Sequence, residues 1–496
     1  MKKADLTKFI PPDKSGVIRQ LLFSLLTLDK VEVSLVHPLS FDIEAAVEAI
    51  PLFGKKVVKK KNGVLISGAA LKPDRVVNCR NSATMLRLLM GISILKGWKV
   101  LFTGDTSLLN RDHSDFVKAA QLYRAEIIID KDIITIIPSF ETPPVKTELS
   151  KQSAQLKGFH ILCMLKSGGE LSYRSKTRNS TEYLLSVMGG KISDKENTIH
   201  VTPAKELKGY SLPLYRDPSS AFIAGCVSVI AGIDFKISSL TPEELRMEPF
   251  RFLNNCGTIT DINEKKNGFS VQSRNGGIFS NGTLNIPEDA VPSIIDEVPF
   301  MAYMAARSKL PFFLPDGEWL RNKESDRVEE TKKRIGAVFE TIDYHSGFAV
   351  IPELKKRASF SMPHSDDHRM EMLSAVIALD RNISFQPDEP VVSISFPLFC
   401  KMVQFIKEKT EERTNLFIVD HRKKIDRIDD KIVKLLSERM GIASEIIEFK
   451  KDYGIKISDV SREKEIISRL SRHDRSISDL VNDLYRRIFS WIKKED

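Results

Sequence analysis

The pattern of apolar residues changes once along this chain, near residue 406. Residues 1 to about 405 alternate Val/Ile-rich runs, such as VVKKKNGVLISG and AVFETIDYHSGFAVI, with amphipathic stretches, a pattern typical of a mixed α/β chain. From about 419 onward the strand-like runs stop and the sequence predicts helix throughout. A charged segment without turn residues, KEKTEERT, lies between the two parts. We therefore predict a linker at 406–418 and a helical domain at 419–496.

Composition narrows the function classes. A chain of 496 residues is too long for one compact core, and no run approaches eighteen apolar residues, so we expect a cytoplasmic protein that does not bind membranes. The five cysteines form no CxxC pair and predict neither disulfides nor a metal site. A net charge of +9 suits anionic partners, either nucleic acid or charged metabolites. No zinc finger or RNP-type motif is present, which argues against nucleic acid.

A weak internal repeat occurs before residue 405, in which a short polar cluster directly precedes an apolar helix. The eight copies are PDKSGVIRQLL, CRNSATMLRLLM, KQSAQLKGFHIL, TRNSTEYLLSVM, RDPSSAFIAGCV, IDEVPFMAYMA, KESDRVEETKKRIG and DDHRMEMLSAVIAL. Any single cluster is best interpreted as an ordinary helix cap. Eight of them, with cations nearby, predict an array of helix N-termini that binds several anionic groups. These cations are Lys14, Arg19, Arg87, Arg111, Arg327 and Arg369.

Four of these motifs, KESDR, DDHRMEM, DKSGVIR and RNSATMLR, resemble those of 5-enolpyruvylshikimate-3-phosphate (EPSP) synthases. The resemblance covers roughly residues 5–405. It implies an α/β (α+β) fold of two lobes, built from six βαβαββ repeats whose helix N-termini face a cleft. The lobes are expected at 1–12 with 217–405 and at 13–216. The implied reaction transfers the enolpyruvyl group of phosphoenolpyruvate to the 5-hydroxyl of shikimate 3-phosphate, with no cofactor and no metal.

The resemblance also assigns the residues that contact each substrate. Those expected at shikimate 3-phosphate are Lys14, Ser15, Arg19, Ser153, Ala154, Gln155, Arg178, Asp296 and Lys323. Those expected at phosphoenolpyruvate are Lys14, Asn81, Ala83, Arg111, Gln155, Arg327 and Arg369. Arginine suits phosphate and carboxylate because its planar fork donates two parallel hydrogen bonds. Asp296 is the implied base for the 5-hydroxyl, and Glu324 and Lys14 are both candidate proton donors.

Two departures and one competing family qualify this interpretation. The family commonly has glycine at the position of Ala83, and many members have lysine at that of Ile394. The sister family that transfers enolpyruvyl to UDP-N-acetylglucosamine shares the fold and usually carries a cysteine in the loop that corresponds to TGDTSLLNRDHSD. Here that loop contains Arg111 and no cysteine, so the sister activity is the remote alternative.

The C-terminal segment shows an apolar stripe at steps of three and four residues, and two arginines interrupt it. The stripe consists of Ile418, Arg422, Ile425, Ile428, Ile432, Leu435, Arg439, Ile442, Ile446 and Phe449. Snorkelling explains an arginine near a helix end. Arg439 lies in mid-helix, where a guanidinium needs an anion.

This segment resembles the all-helical, three-helix chorismate mutases, which implies rearrangement of chorismate to prephenate. The implied chorismate-binding residues are Arg422, Arg439, Lys450, Asp459, Arg462, Glu463 and Asp496. In that family the long helix is shared between subunits, so we expect a homodimer in which Arg422 completes the neighbour's site. Asp496 stands where the family has Gln or Glu. The alternative is an inactive module that dimerises the chain or senses chorismate or prephenate.

Overall fold

The computed structural model describes residues 3–204, 206–265, 268–279, 283–287, 290–321, 323–355, 361–472 and 475–492. Contacts within the chain divide it into two compact units, Met1–Thr410 and Glu411–Asp496. One helix, Phe399–Asp452, runs through this division, so the predicted linker at 406–418 is helical. That segment contains no glycine or proline, the residues that most readily end a helix.

Within Met1–Thr410, the described residues form five sheets of similar topology. In four of them a parallel pair is extended by two antiparallel strands, and the fifth has three antiparallel strands. In order across each sheet, the strands are Ala4–Asp5, Phe235–Leu240, Gly268–Phe279 and Cys256–Lys265; Val31–Ser34, Gly63–Ser67 and Lys56–Lys60; Val77–Asn78, Val100–Thr103, Ile133–Ile137 and Glu126–Asp130; Val145–Glu148, Gly169–Ser172, Thr198–Val201 and Ile192–Lys195; Leu284–Asn285, Phe312–Leu314, Gly347–Leu354 and Phe339–Tyr344.

Three complete βαβαββ units can be followed along the chain, over 77–137, 145–201 and 284–354. In the sheet that begins at Ala4–Asp5, the first strand comes from the N-terminus and pairs with Phe235–Leu240. The described residues after 354 form helices and no sheet, so they do not show the sheet expected of a sixth repeat. The predicted α/β fold is confirmed.

The helices of this unit pack on the sheets in two separate hydrophobic cores. The first core, from residues 17–210, contains Lys14–Phe23, Phe41–Ala49, Ala83–Lys96, Thr106–Leu109, Ser114–Leu122, Ala154–Ser167 and Ser180–Val187, with 3-10 turns at Ser24–Leu26 and Ile50–Phe53. The second core, from residues 4–10 and 221–406, contains Pro218–Ile230, Glu248–Asn255, Val291–Ile294, Val298–Arg307, Glu318–Arg321, Arg327–Ile335, His368–Arg381, Glu389–Ser393 and the start of Phe399–Asp452, with a 3-10 turn at Glu244–Met247. The chain passes between the two cores twice, at 10–17 and at 210–221.

The predicted helix caps are largely present. Five of the eight clusters cap their helix with a side chain that accepts a backbone N–H, and these residues are Ser82, Ser153, Asp217, Asp326 and Asp367. The other three helices begin after Asp13, Asn179 and Glu297, whose side chains make no such bond. The capped helices therefore begin where the sequence predicts them to begin.

The unit Glu411–Asp496 is helical in its described part. It comprises the C-terminal portion of Phe399–Asp452, the helix Val460–Ser471, a 3-10 turn at Arg475–Ile477 and the helix Ser478–Ile492. The predicted stripe leaves its apolar side chains exposed to solvent, including Ile428 at 55% and Leu435 at 64%. No helix in the described ranges is long and apolar enough to cross a membrane.

Candidate active site

A cavity of about 220 Å³ lies between the first and the second core. All fifteen transferase residues implied by the resemblance line it: Lys14, Ser15, Arg19, Asn81, Ala83, Arg111, Ser153, Ala154, Gln155, Arg178, Asp296, Lys323, Glu324, Arg327 and Arg369. Several of them occupy the first turn of a helix. Ala83, Ala154 and Arg327 are the first residues of their helices, and Arg369 is the second residue of its helix. Backbone N–H groups and the positive ends of the helix dipoles therefore point towards one space, which favours anions.

Arg327 lies at the centre of the cavity's charged groups and is 1% exposed. Its Nε donates to Asp367 Oδ2 at 2.8 Å, its Nη1 to Asp296 Oδ1 at 3.0 Å and its Nη2 to Glu324 Oε2 at 2.7 Å. Although burial opposes it, these three carboxylates raise the pKa of Arg327. One guanidinium thus holds both carboxylates that the sequence assigns to proton transfer.

Arg369 differs from Arg327 because part of its guanidinium is unpaired. The residue is 4% exposed, and its Nε and Nη1 have no hydrogen-bond partner among the described residues. Its backbone N–H is bound by Asp367 Oδ1 at 2.9 Å, which fixes the start of the helix. A buried cation with unused donors requires an acceptor, and the cavity is where one can enter.

A third cation, Arg111, is bound from both sides of the cavity. Its Nη2 lies 2.8 Å from Asn81 Oδ1 and 3.3 Å from Glu324 Oε1. Because Arg111 belongs to the first core and Glu324 to the second, this ion pair crosses the cleft. The two walls of the cleft are therefore in contact through the Arg111–Glu324 ion pair.

Both carboxylates are held ionised. Burial by itself raises the pKa of Asp296, but Arg369, Lys323, Arg178 and Arg327 together hold it well below its usual range. Burial acts in the same direction on Glu324, where Arg327 and Arg111 lead the opposing charges and again hold the pKa well below its usual range. Neither group carries a proton at neutral pH in this state.

Two lysines of the cavity, Lys14 and Lys323, have shifted pKa values. Lys14 Nζ lies 2.9 Å from Asp42 Oδ2, and this carboxylate raises the lysine pKa above its ordinary value against the effect of burial. Burial lowers the pKa of Lys323 to about 8, with Arg327 and Arg178 acting in the same direction. Lys14 is therefore a stable ammonium, whereas Lys323 titrates close to neutrality.

The residues assigned to shikimate 3-phosphate are mostly fixed by protein contacts. Arg19 donates through Nη1 to the Ser15 carbonyl at 3.0 Å and through Nε to Thr181 Oγ1 at 3.1 Å. Arg178 Nη2 donates to the Ser293 carbonyl at 3.1 Å and lies 3.7 Å from Asp296 Oδ2. Two arginines from the first core are thus held in defined positions before any substrate binds.

Other residues line the cavity besides those that the resemblance assigns to a substrate, among them Arg87, which the sequence places with the cations near the capped helices, and Lys151, which it does not single out. Arg87 hydrogen-bonds Gln155 and lies 4.8 Å above the Phe116 ring, and its pKa is lowered to about 10, first by burial and then by Arg111. Its spacing, one helical turn after Ala83, was a usable signal. Lys151 faces the Trp319 ring at 5.3 Å from across the cleft, and no pattern in the sequence links this pair.

The mutase residues are placed on the C-terminal helices. Arg439 lies over the rings of Tyr485 at 5.3 Å and Phe489 at 5.6 Å, and Lys450 Nζ donates to the Ile457 carbonyl at 3.2 Å. Asp459 caps the next helix by accepting from the N–H of Arg462 at 2.9 Å. The Arg462 guanidinium bonds Glu465 at 2.7 Å.

The backbone N–H of Glu463 donates to the Asp459 carbonyl at 3.1 Å, within the same helix start. Arg422 is exposed, and Asp496 lies outside the described residues. Arg422 and Arg439 are 17 positions apart on one helix. They are separated by about 25 Å, because an α-helix rises about 1.5 Å per residue. The two arginines therefore cannot bind the same small molecule within one chain.

No group of three or more His, Cys, Asp or Glu side chains is placed to hold a metal ion in the described part of the chain. His368 lines the cavity, and burial lowers its pKa to about 3, so it is neutral. The residues assigned to the reaction thus comprise fixed arginines, the ionised carboxylates Asp296 and Glu324, and the lysines Lys14 and Lys323.

Comparisons with known proteins agree with this geometry. The family model for EPSP synthase (3-phosphoshikimate 1-carboxyvinyltransferase) matches residues 5–403, and that for chorismate mutase type II matches 421–496. A 3-phosphoshikimate 1-carboxyvinyltransferase of Helicobacter pylori (strain P12) is 30% identical, over 80% of this chain and 96% of its own length. One of Thermodesulfovibrio yellowstonii is 26% identical, over 80% of this chain and 96% of its own.

A solved EPSP synthase structure from Acinetobacter baumannii superposes with a TM-score of 0.66. It covers 82% of this chain and 96% of its own, at 23% identity, which shows a shared fold. The family model that covers 5–403 and the 30% identical relative carry the assignment further than the fold does. The chain belongs to the EPSP synthase family and carries a chorismate mutase type II domain at its C-terminus.

Proposed function

We propose that this chain transfers the enolpyruvyl group of phosphoenolpyruvate to the 5-hydroxyl of shikimate 3-phosphate in the cavity between its two cores. The observation that carries the proposal is Arg369, a buried guanidinium with two donor atoms that lack partners, at the N-terminus of a helix that faces the cavity. A phosphate or carboxylate is the group that satisfies such donors best. Phosphoenolpyruvate carries both.

The reaction requires an addition followed by an elimination. The 5-hydroxyl oxygen bonds to C2 of phosphoenolpyruvate while a proton is added at C3, which becomes a methyl group. Loss of a proton from that methyl group then restores the double bond, and the C2–O bond to phosphate breaks. The products are the enolpyruvyl ether and inorganic phosphate. The site must therefore accept one proton from the hydroxyl and both give and take another at C3.

Asp296 is the base for the hydroxyl in this proposal. Its ionised state supports the role, because a base must be free of a proton before the reaction begins. The Arg327 bond at 3.0 Å also fixes one carboxylate oxygen and leaves the other directed towards Arg178. Lys14 already carries the proton needed at C3. Glu324 becomes a donor only after substrate anions have offset the charge of Arg111 and Arg327, which raises its pKa.

The transferase test uses the full-length protein. Phosphate release should require both shikimate 3-phosphate and phosphoenolpyruvate, and mass spectrometry should detect the enolpyruvyl ether. UDP-N-acetylglucosamine in place of shikimate 3-phosphate should give no phosphate. Turnover with the nucleotide sugar and none with shikimate 3-phosphate would reverse the assignment.

The C-terminal domain rearranges chorismate to prephenate in the second part of the proposal. The reaction is unimolecular and needs no nucleophile, so the protein acts by holding the dicarboxylate in its compact form and stabilising charge at the ether oxygen. The cations Arg439, Lys450 and Arg462 suit these tasks.

A homodimer completes this site. Arg422 lies about 25 Å along the helix from Arg439, so it serves a site to which a second chain contributes the other residues. The exposed apolar stripe supports the same conclusion, because side chains such as Ile428 and Leu435 at half exposure or more favour burial against a second copy.

The five free cysteines are consistent with a reducing compartment such as the cytoplasm.

Dilution tests both the dimer and the mutase. The dimer dissociation constant is first measured by analytical ultracentrifugation. At protein concentrations below that constant, the rate of chorismate loss per chain should decrease, while the rate of phosphate release per chain should stay constant. A mixture of Arg422→Ala and Arg439→Ala chains should regain chorismate turnover that neither variant shows alone. If chorismate binds without being consumed, the domain is a sensing module.

A further inference from the structure

Both connections between the first and the second core pass beside one buried arginine, Arg246. It lies in the 3-10 turn Glu244–Met247, and its side chain is 2% exposed. Nη1 donates to Asp13 Oδ1 at 2.8 Å, and Nη2 donates to Asp217 Oδ2 and Ser219 Oγ, each at 3.2 Å. Asp13 belongs to the first connection and Asp217 to the second. A single guanidinium therefore bonds both connections.

The backbones of these connections are also bonded to each other. The N–H of Asp13 donates to the Tyr215 carbonyl at 2.9 Å, and that of Asp217 donates to the Pro11 carbonyl at 3.0 Å. Each aspartate directly precedes a helix whose first turn contributes to the cavity. Lys14 follows Asp13, and Ser219 lies two residues after Asp217. Any shift of these aspartates is therefore transmitted to the cavity wall.

The side chain of Asp13 does not cap its own helix, since it is engaged by Arg246 instead. Asp217 does both, because its Oδ1 accepts from the N–H of Ser220 at 2.7 Å while its Oδ2 faces Arg246. Close packing adds to this arrangement, since a Cβ at Gly16 would lie 2.9 Å from Asp13 Oδ2. The position of Asp13 is thus fixed from several sides.

Arg246 also balances the charge beneath the cavity. The charged groups that face Asp13 and Asp217 are Arg19, Arg178, Arg246, Arg369 and Glu243, and Glu297 faces Arg246. Both aspartates are buried, and a buried carboxylate without a cation is strongly unfavourable. Asp217 and Arg246 both line the cavity, so removal of the arginine would leave negative charge where an anionic substrate must bind.

We propose that Arg246 is a positioning residue for shikimate 3-phosphate: it ties the two connections together beneath the cavity and offsets part of the negative charge of Asp13 and Asp217. The proposal rests on the transferase function given above. Arg246 acts through its neighbours, because its outer nitrogens are already bonded within the protein. The effect falls first on shikimate 3-phosphate, since Lys14, Ser15 and Arg178 surround this network.

The test is Arg246→Met, which keeps the length of the side chain and removes its charge. At pH 8 the variant should show at least a tenfold higher KM for shikimate 3-phosphate, with a smaller change in the KM for phosphoenolpyruvate. Relative to the wild-type chain at the same pH, lowering the pH to 6 should reverse much of this loss, because the unpaired aspartates then take up protons. Arg246→Lys should recover part of the affinity.

Arg251→Met is the matched control. Arg251 also pairs with two carboxylates, Glu244 and Glu248, but its side chain is 42% exposed, so water can replace it. This control should leave both KM values and their pH dependence unchanged. A pH-independent rise in KM for Arg246→Met, or no rise beyond that of the control, would overturn the proposal.

Thermal unfolding gives a readout that needs no substrate. In the wild-type chain burial already raises the pKa of Asp13, whereas Arg246 and Arg369 overcome burial and hold the pKa of Asp217 below its usual value. Without Arg246 the pKa of both aspartates should rise, so stability should be lost more steeply than in the wild-type chain as the pH rises from 5 to 8. The triple variant Arg246→Met/Asp13→Asn/Asp217→Asn should remove this added pH dependence. If the single variant does not fold at pH 8, recovery of folding in the triple variant tests the same charge compensation. If the wild-type chain lacks transferase activity, these unfolding curves still decide whether Arg246 compensates the aspartates, and a pH dependence for Arg246→Met no steeper than that of the wild-type chain would refute it.

Discussion

Replacement of Arg369 by methionine should weaken phosphoenolpyruvate binding selectively. The substitution removes the guanidinium whose Nε and Nη1 lack partners in the described residues and keeps the aliphatic stem. A hydrogen bond to a charged group contributes about 1.5–3 kcal/mol, and about 1.4 kcal/mol corresponds to a factor of ten. Loss of a single such bond should therefore raise the KM for phosphoenolpyruvate at least tenfold, whereas the KM for shikimate 3-phosphate should change less than about threefold.

Arg327→Met should behave differently, although the sequence places both arginines at the same substrate. Arg327 is bonded to Asp296, Glu324 and Asp367, and its removal leaves three carboxylates without their shared cation. Breaking a buried pair in this way costs about 3–5 kcal/mol of stability. We therefore expect a lower unfolding temperature and losses for both substrates, because the predicted base and a candidate donor are displaced together.

The assay combines initial rates of phosphate release, with each substrate varied in turn, and thermal unfolding of each variant. Arg381→Met is the control, since Arg381 lies on the same helix as Arg369 but pairs with Asp380 at 3.2 Å outside the cavity. Arg369→Met should unfold at nearly the wild-type temperature. Equal losses for both substrates in Arg369→Met, at unchanged stability, would refute its assignment to phosphoenolpyruvate.

Three further predictions concern single residues of the cavity. Because the pKa of Lys323 is about 8, its ammonium is lost as the pH rises through that value, so the KM for shikimate 3-phosphate should increase between pH 7 and 9. Lys323→Arg should abolish this increase. If the KM of that variant still rises over this pH range, Lys323 is not the residue responsible. Asp296→Asn should lower kcat by about 100-fold or more with little change in either KM, whereas a fully active variant would exclude Asp296 as base. Ala83 lines the cavity at the first position of its helix, so its methyl group should crowd glyphosate, a longer analogue of phosphoenolpyruvate. Because overpacking costs about 1–3 kcal/mol, Ala83→Gly should lower the inhibition constant for glyphosate at least about fivefold. An unchanged inhibition constant would show that the methyl group is not the cause.

The helix starts around the cavity could be predicted because capping is a local interaction. Ser82 and Ser153 accept the N–H of a residue three positions later, so the whole motif is contained in a few consecutive letters. One of the three exceptions, Asp13, has an identifiable competitor. The carboxylate of Asp13 is taken by Arg246, which is 233 positions away, and no local pattern announces that contact.

The charge network around Arg327 could not be predicted from the sequence, because most of its contacts join residues that are far apart along the chain. Glu324 and Arg327 are only three residues apart, so their contact is local, although Glu324 precedes the helix that begins at Arg327. Asp296 and Asp367 lie 31 and 40 positions from Arg327, and only the fold brings them to its guanidinium. The sequence therefore identified Arg327 as a cation of the cavity but did not show that it is already occupied. The cation–π contact between Lys151 and Trp319 was missed because each residue comes from a different core.

The two parts of the chain bring cations together in different ways, and this difference bears on why they are fused. In the transferase part, separate repeats fold against each other, so arginines as distant in sequence as Arg111 and Arg369 line one cavity within a single chain. In the C-terminal domain, one helix holds Arg422 and Arg439 about 25 Å apart, so in the proposed homodimer each site would combine residues from two chains. Chorismate synthase acts between the two reactions, so direct transfer of a shared intermediate does not explain the fusion. The proposed homodimer offers another reason: a domain that dimerises to complete its own site would also pair the transferases of the two chains.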